Sequence, residues 1–107
     1  MRVALAKPLT EAQWAEVIRG YAKAFGWVYY HTHNSRHSPS GFPDCVMVRG
    51  NRIIFAELKK DKGGVVSDEQ QEWLDALAVT GNVEVYVWLP RHEDDVKRIL
   101  GNGRRAA

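Results

Sequence analysis

The stretch that decides the fold is residues 44–58, Asp-Cys-Val-Met-Val-Arg-Gly-Asn-Arg-Ile-Ile-Phe-Ala-Glu-Leu. It consists of two apolar runs around Gly50-Asn51, a dipeptide that favours a two-residue hairpin turn. Counting outward from this turn places Asp44 opposite Glu57 on the paired strands. The sequence therefore predicts a β-hairpin with two carboxylates on one face. A register slip of one residue would separate them onto opposite faces.

The flanking sequence predicts helices before and after this hairpin. Thr10 and Ser67 each begin a capping box, and apolar residues at helical spacing follow both. In chain order, we expect a helix over 11–25, strands over 27–32, 44–48 and 53–58, a helix from Ser67 to Gly81, a strand over 83–89 and a helix over 93–100. The helix that begins at Ser67 should be buried through Trp73, Leu74, Leu77 and Ala78. The order α-β-β-β-α-β-α predicts an α/β fold, a mixed sheet flanked by helices whose last strand is reached by a helical crossover.

The length of 107 residues and a near-average composition, 45% hydrophobic and 26% charged, indicate one domain over 1–107. We expect its core at about 10–100, and a flexible tail over 101–107. No apolar run approaches the roughly 20 residues of a membrane span, and the first residues lack a signal-peptide core, so we expect a cytoplasmic protein. Cys45 is the only cysteine, which fits a reducing compartment and a buried packing role.

The predicted hairpin brings together residues that could hold a metal ion. Like charges facing each other across a hairpin are destabilising, so a cation should lie between Asp44 and Glu57. Lys59 returns to their face if the strand continues that far. Two carboxylates beside an ammonium could hold Mg²⁺ next to a phosphodiester. The alternative is that Asp44 is a turn residue and that Glu57 and Lys59 form a solvated strand edge.

Three short motifs carry a resemblance to a known family. They are Gly41-Phe42-Pro43-Asp44, Glu57-Leu58-Lys59 and Ser67-x-x-Gln70-x-x-Trp73-Leu74. With these motifs, residues 10–90 resemble the VRR-NUC branch of the PD-(D/E)XK nucleases. The resemblance implies a restriction-endonuclease-like PD-(D/E)XK core and a Mg²⁺-dependent nuclease, in which Mn²⁺ could substitute.

The resemblance also implies roles for individual residues. Asp44, Glu57 and the Leu58 main-chain carbonyl would bind metal, and Lys59 would be the catalytic lysine. Gln70 would lie beside the metal site and belong to the catalytic set, or it would only close the capping box.

The family also tends to place a glutamate of the first helix near the metal. On a helical wheel, Glu11 falls on the apolar face with Ile18, whereas Glu16 points away. We therefore expect Glu11 to be a metal ligand. A first-turn acid that complements the helix dipole explains Glu11 equally well.

Other polar residues near the predicted site are candidates for contacts with DNA. Ser35 and Arg36 could contact phosphate from the loop after the first strand, and Lys60 and Lys62 could do so from the segment after Lys59. That segment could equally be an ordinary solvated connection.

Two further groups leave alternatives open. Arg49 and Arg52 face each other at the hairpin tip and would be either a DNA contact or only surface. A zinc site on His31, His33 and His37 is a weaker alternative, since no second cysteine or acidic cluster stands at ligand spacing.

For a small member, the resemblance implies a structure-selective DNA endonuclease, with Holliday junction resolution as the leading activity. Two symmetric nicks would most simply come from a homodimer. The alternatives are a nicking, flap-cutting or restriction-type endonuclease with the same site, a non-catalytic DNA-binding module, and a zinc-stabilised interaction domain.

Overall fold

The computed structural model describes residues 7–33 and 38–102. Its elements follow the predicted order. They are helix α1 (Glu11–Ala24), strands β1 (Val28–His31), β2 (Cys45–Arg49) and β3 (Arg52–Leu58), helix α2 (Asp68–Val79), strand β4 (Glu84–Trp88), a short 3-10 helix (Pro90–His92) and helix α3 (Glu93–Gly101). The strands form one sheet in the order β1-β2-β3-β4, antiparallel except for the parallel pair β3-β4. The predicted fold class is confirmed.

The register of the β2-β3 hairpin is the predicted one. Arg49 pairs with Arg52 next to the turn, and Cys45 pairs with Ala56 at the far end. Gly50 has a φ of 61°, a left-handed conformation that glycine adopts without steric cost. Asp44 directly precedes β2, so the next residue pair outward is Asp44 with Glu57.

One face of the sheet packs against α1 and α3. Alternate strand residues, among them Met47 and Ile54, are fully buried there in a cluster with helix side chains such as Trp14 and Val96. Two indole N–H groups tie the layers together. Trp14 Nε1 donates to the Trp88 carbonyl at 3.0 Å, and Trp27 Nε1 donates to the Leu100 carbonyl at 2.9 Å.

The opposite face is only partly covered, because α2 crosses over β3 and β4. Of the four α2 residues predicted to be buried, Leu74 is buried and Leu77 is half-buried, but Ala78 is exposed and Trp73 is 37% exposed. The predicted stripe is wrong for Trp73 and Ala78, since the helix touches the sheet along a narrow line. Val28 and Tyr30 on the uncovered β1 side are 74% and 63% exposed.

The two hairpin-tip arginines bind the carboxyl ends of helices. Arg49 Nη1 donates to the carbonyls of Phe25 and Leu100 at 2.9 and 2.7 Å, and Arg52 Nη1 donates to that of Asn102 at 2.8 Å. Cations at helix C-termini satisfy carbonyls that have no partner within the helix. The arginines therefore join α1 and α3 to the hairpin, so the expectation that they are only surface is wrong; their contact with DNA stays a prediction.

The helix ends and the tail differ slightly from the prediction. Helix α3 continues to Gly101, and the Asn102 carbonyl accepts from Arg52, so these two residues belong to the folded domain. Residues 103–107 of the predicted tail lie outside the described residues. Among the helices of residues 7–33 and 38–102, none is long and apolar enough to cross a membrane.

Candidate active site

The candidate site lies at the end of the sheet where β2 begins and β3 ends. Asp44 is held there by two backbone contacts. Its Oδ2 accepts the Leu58 N–H at 2.7 Å, and its main-chain carbonyl accepts the Thr32 N–H at 2.7 Å. The carboxylate is therefore fixed by the chain after β1 and by the last residue of β3.

Glu57 is the most buried acid of the site, with 1% of its surface exposed. Its Oε2 accepts from Gln70 Nε2 at 2.8 Å and lies 3.4 Å from Lys59 Nζ. Its Oε1 is buried and has no hydrogen-bond partner among the described residues. An unpaired buried acceptor is costly, so this oxygen would gain from a cation.

The electrostatics of Asp44 and Glu57 also indicate that the site needs a cation. Burial, followed by the neighbouring charge of Asp44, raises the pKa of Glu57 well above its usual range, and Lys59 only partly opposes the shift. A carboxyl group that resists ionisation beside a second acid lacks compensating positive charge. A divalent cation would supply that charge and displace the proton.

Lys59 reaches the site because the extended chain continues past the end of β3. Its N–H donates to the Trp88 carbonyl at 3.0 Å, which extends the pairing with β4 by one residue. The side chain is 11% exposed and turned towards Glu57. Gly64 supports this position, since a Cβ on Gly64 would lie 2.9 Å from the Lys59 Cβ and 2.6 Å from the Lys60 carbonyl oxygen.

Gln70 makes both of the contacts that the sequence left as alternatives. Its Oε1 accepts the Ser67 N–H at 2.8 Å and closes the capping box of α2, while its Nε2 donates to Glu57. The same amide therefore anchors the helix start and orients the buried carboxylate.

Trp73 packs against the residue before Pro43-Asp44 and not into the core. Its ring meets Phe42 edge to face at 5.0 Å, and Phe42 also contacts Phe55 at 5.9 Å. Gly41 has a φ of 102°, and a Cβ there would lie 2.6 Å from a main-chain oxygen of α2. The glutamine and tryptophan of the third motif thus support the two acids separately. Sequence reasoning expected Gln70 beside the site but missed the role of Trp73, although the Gln70-x-x-Trp73 spacing was the signal for it.

The first helix places Glu11 at the same end of the sheet. A cavity of about 160 Å³ is lined by Glu11, His31, Asp44 and Leu58, among others. Glu16 is exposed and lies in a separate groove with Tyr29, on the β1 side of α1. Its exposure agrees with the prediction that Glu16 points away from the apolar face of α1. Of the two glutamates, Glu11 is the one that shares a cavity with Asp44.

The residues present fit a hard divalent cation. Asp44 and Glu57 supply carboxylate oxygens, and the partnerless Glu57 Oε1 is free to accept a metal bond. Within the described ranges, no three His, Cys, Asp or Glu side chains form a ready metal cluster. Such a site would be completed by waters, substrate phosphate and a main-chain carbonyl, as is usual for Mg²⁺. The Leu58 carbonyl remains the expected main-chain ligand.

The remaining candidates contribute less to this geometry. Ser35, Arg36 and His37 lie outside the described residues. Lys60 and Lys62 are exposed in the segment after Lys59, and their contact with DNA stays a prediction. The rings of His31 and His33 lie 5.3 Å apart, as expected for residues two apart on an extended chain.

Comparisons with known proteins identify the family of the chain. A profile of the VRR-NUC domain matches residues 3–89. A solved VRR_NUC domain protein has the same fold, with a TM-score of 0.65 and 21% identity over 88% of this chain and 87% of that chain. Hjc of Archaeoglobus fulgidus, a Holliday junction resolvase, is 26% identical with a TM-score of 0.56 over 73% of this chain and 67% of that chain. The comparison with curated proteins found no match. Because the profile covers most of its length, the chain belongs to the VRR-NUC family of PD-(D/E)XK nucleases.

Proposed function

We propose that the chain is a Mg²⁺-dependent, structure-selective DNA endonuclease that resolves Holliday junctions, with Mn²⁺ able to replace Mg²⁺. The observation that carries the metal dependence is the buried Glu57 Oε1, which lacks a partner beside a second acid. The similarity to Hjc, whose described substrate is the Holliday junction, supports the choice of branched DNA.

In the proposed mechanism, each residue acts at a defined place. Asp44 and Glu57 would hold the cation, and the Leu58 carbonyl and Glu11 would complete the protein ligands. The bound ion would polarise the phosphoryl oxygen and lower the pKa of the attacking water.

The remaining two side chains assist the acids. Gln70 donates to Glu57 Oε2, so Oε1 would be available to bind a cation. Lys59, as an ammonium 3.4 Å from Glu57, stabilises the negative charge that develops on the phosphate.

The proposal includes a homodimer, because resolution requires two symmetric nicks. The uncovered sheet face supports it. Val28, Val48 and Ile53 are 36–74% exposed on that face, and apolar patches of this kind mark interaction surfaces. Sedimentation should show a dimer that Val48→Lys dissociates. Only monomer, both free and with junction DNA, would count against this part of the proposal.

Cleavage of labelled four-way junction, flap, nicked and linear DNA in Mg²⁺ or Mn²⁺ tests the activity. We expect paired nicks in the junction and a loss of about 100-fold or more in Lys59→Ala and Asp44→Asn. Lys23→Ala, which removes an exposed lysine at the far end of α1, is the matched control. No cleavage of any substrate, or equal activity in the site variants, would sink the proposal. Preferential cutting of flaps or linear duplex would replace the junction by that substrate.

A further inference from the structure

A second cavity lies beside the segment that leads to Pro43-Asp44. It has a volume of about 500 Å³ and is enclosed by the end of β1, residues 38–42 and Trp73 of α2. This volume falls within the range of about 300–1,000 Å³ that is typical of ligand pockets. None of the metal-binding residues proposed above lines it.

Three aromatic side chains line this cavity, which we call the aromatic cavity. They are Tyr30, Phe42 and Trp73. The edge-to-face contact of Phe42 with Trp73, at an interplanar angle of 79°, fixes both rings before any ligand binds. Tyr30 and Trp73 nevertheless remain 63% and 37% exposed. The cavity thus offers rigid, accessible ring surface on which a flat ligand could stack.

The polar groups of the aromatic cavity include an unused hydrogen-bonding group. Thr32 Oγ1 is buried and has no partner among the described residues, although the Thr32 N–H donates to the Asp44 carbonyl. Ser38 and Ser40 add two further hydroxyl-bearing residues to the lining. A ligand with donors and acceptors on its edge could hydrogen-bond to the hydroxyl-bearing residues of this lining.

The chemistry of this lining fits a nucleobase better than a phosphate. Phosphate sites are built from Arg and Lys, and the described lining contains neither; His33 is its only group that can carry a positive charge. Aromatic rings with hydroxyl groups at their margin are the usual means of holding an unstacked base. A base is free to enter such a cavity only where it is unpaired or has been flipped out of the stack, as in a bulge, a flap or a locally opened junction.

The aromatic cavity is built on the same supports as the candidate active site. Phe42 stands two residues before Asp44, and Trp73 stands one helical turn after Gln70, which contacts Glu57. We propose that the aromatic cavity binds an unpaired nucleobase next to the scissile phosphodiester and thereby favours DNA that exposes such a base over continuous duplex. This inference rests on the proposed nuclease function and adds a site that selects the substrate.

The test is fluorescence of 2-aminopurine placed at a single unpaired position of a bulged duplex. Binding is measured in Ca²⁺, so that occupancy is followed without depending on cleavage. We expect the fluorescence to fall when the base stacks on the rings, and to stay constant when 2-aminopurine is paired. Tyr30→Ala should abolish the fall and weaken binding of bulged DNA about tenfold, with a smaller effect on paired duplex.

Further variants distinguish the loss of the Tyr30 ring from a general effect on folding. Tyr30→Phe keeps the aromatic ring and should retain the fall in 2-aminopurine fluorescence. Thr32→Val, which removes the hydroxyl group but hardly changes the side-chain volume, should make that fall smaller. Val79→Ala removes an exposed apolar side chain at the far end of α2 and is the control. An unchanged or rising signal, or equal losses on bulged and paired DNA, would overturn the inference. So would a Tyr30→Ala protein that loses only dimer formation, since a second copy would then occupy the face.

These outcomes are distinct from failure of the proposed function. A protein that resolves branched DNA in Mg²⁺ but gives no fluorescence change with the bulged duplex refutes only the base-binding cavity. A protein that cuts no DNA with either metal ion refutes the proposed function itself.

Discussion

Replacing Asp44 by Asn should abolish cleavage and at the same time make the metal-free protein more stable. The substitution keeps the size of the side chain, and its remaining oxygen can still accept the Leu58 N–H that Asp44 accepts at 2.7 Å. The other oxygen becomes an amide donor beside Glu57, whose Oε1 has no partner among the described residues. One change therefore removes a like charge and satisfies a buried acceptor.

The size of the effect follows from these contacts. A hydrogen bond to a charged group contributes about 1.5–3 kcal/mol, whereas the weaker acceptor for Leu58 costs about 1 kcal/mol. The net gain is about 0.5–2 kcal/mol. In a domain of about 100 residues, each 1 kcal/mol shifts the melting temperature by roughly 4–8 °C, so we expect an increase of about 2–16 °C.

Thermal unfolding followed by circular dichroism, in EDTA and in Mg²⁺, measures this effect. Mg²⁺ should stabilise the wild-type protein through binding to the native state, and should stabilise Asp44→Asn much less. Glu16→Gln, an exposed acid on α1, should change the melting temperature little in either condition. An Asp44→Asn protein that melts at or below the wild-type temperature in EDTA would refute the view that the two acids repel each other.

Three other substitutions or reactions test how the fold supports the site. Gly41→Ala should reduce both stability and cleavage, because a Cβ there would overlap the backbone of α2; Gly81→Ala has a similar φ but open space, and should lower only the melting temperature. Arg52→Met should lower the free energy of unfolding by about 1–3 kcal/mol in urea while cleavage is kept, since it loses its pair with Glu84 and its helix-end carbonyls. The Cys45 thiol is fully buried, and burial raises its pKa, so thiol reagents should label it only as fast as the protein unfolds; rapid labelling of native protein would contradict the buried position.

The sequence was sufficient for the hairpin because its register depends on local chemistry. The turn at Gly50 depends only on its own residues, and the alternating apolar residues decide which face of the hairpin is buried. Counting outward from the turn was therefore enough to place Asp44 opposite Glu57. The capping boxes of α1 and α2 are equally local, and both were predicted at the correct residues.

Contacts between distant parts of the chain could not be predicted in this way. Arg49 and Arg52 suggested a repulsive pair until the helix ends that they bind were in place. Trp73 suggested a core residue because helical spacing does not reveal how narrow the contact of α2 with the sheet is. For Gln70, the two explanations were treated as competitors, although an amide has both an acceptor and a donor and can serve both at once.

The carbonyl of Trp88 accepts two donors, the indole N–H of Trp14 and the main-chain N–H of Lys59, each at 3.0 Å. One oxygen at the end of β4 thus positions both the helix that begins with Glu11 and the lysine beside Glu57. The minimal catalytic unit cannot be shortened to the hairpin and α2. A graft of residues 44–73 onto a foreign scaffold would transfer the two acids and Gln70. Lys59 would be transferred too, but without the Trp88 carbonyl that positions its main chain. An engineered nuclease built from this domain must keep the crossover strand through Trp88.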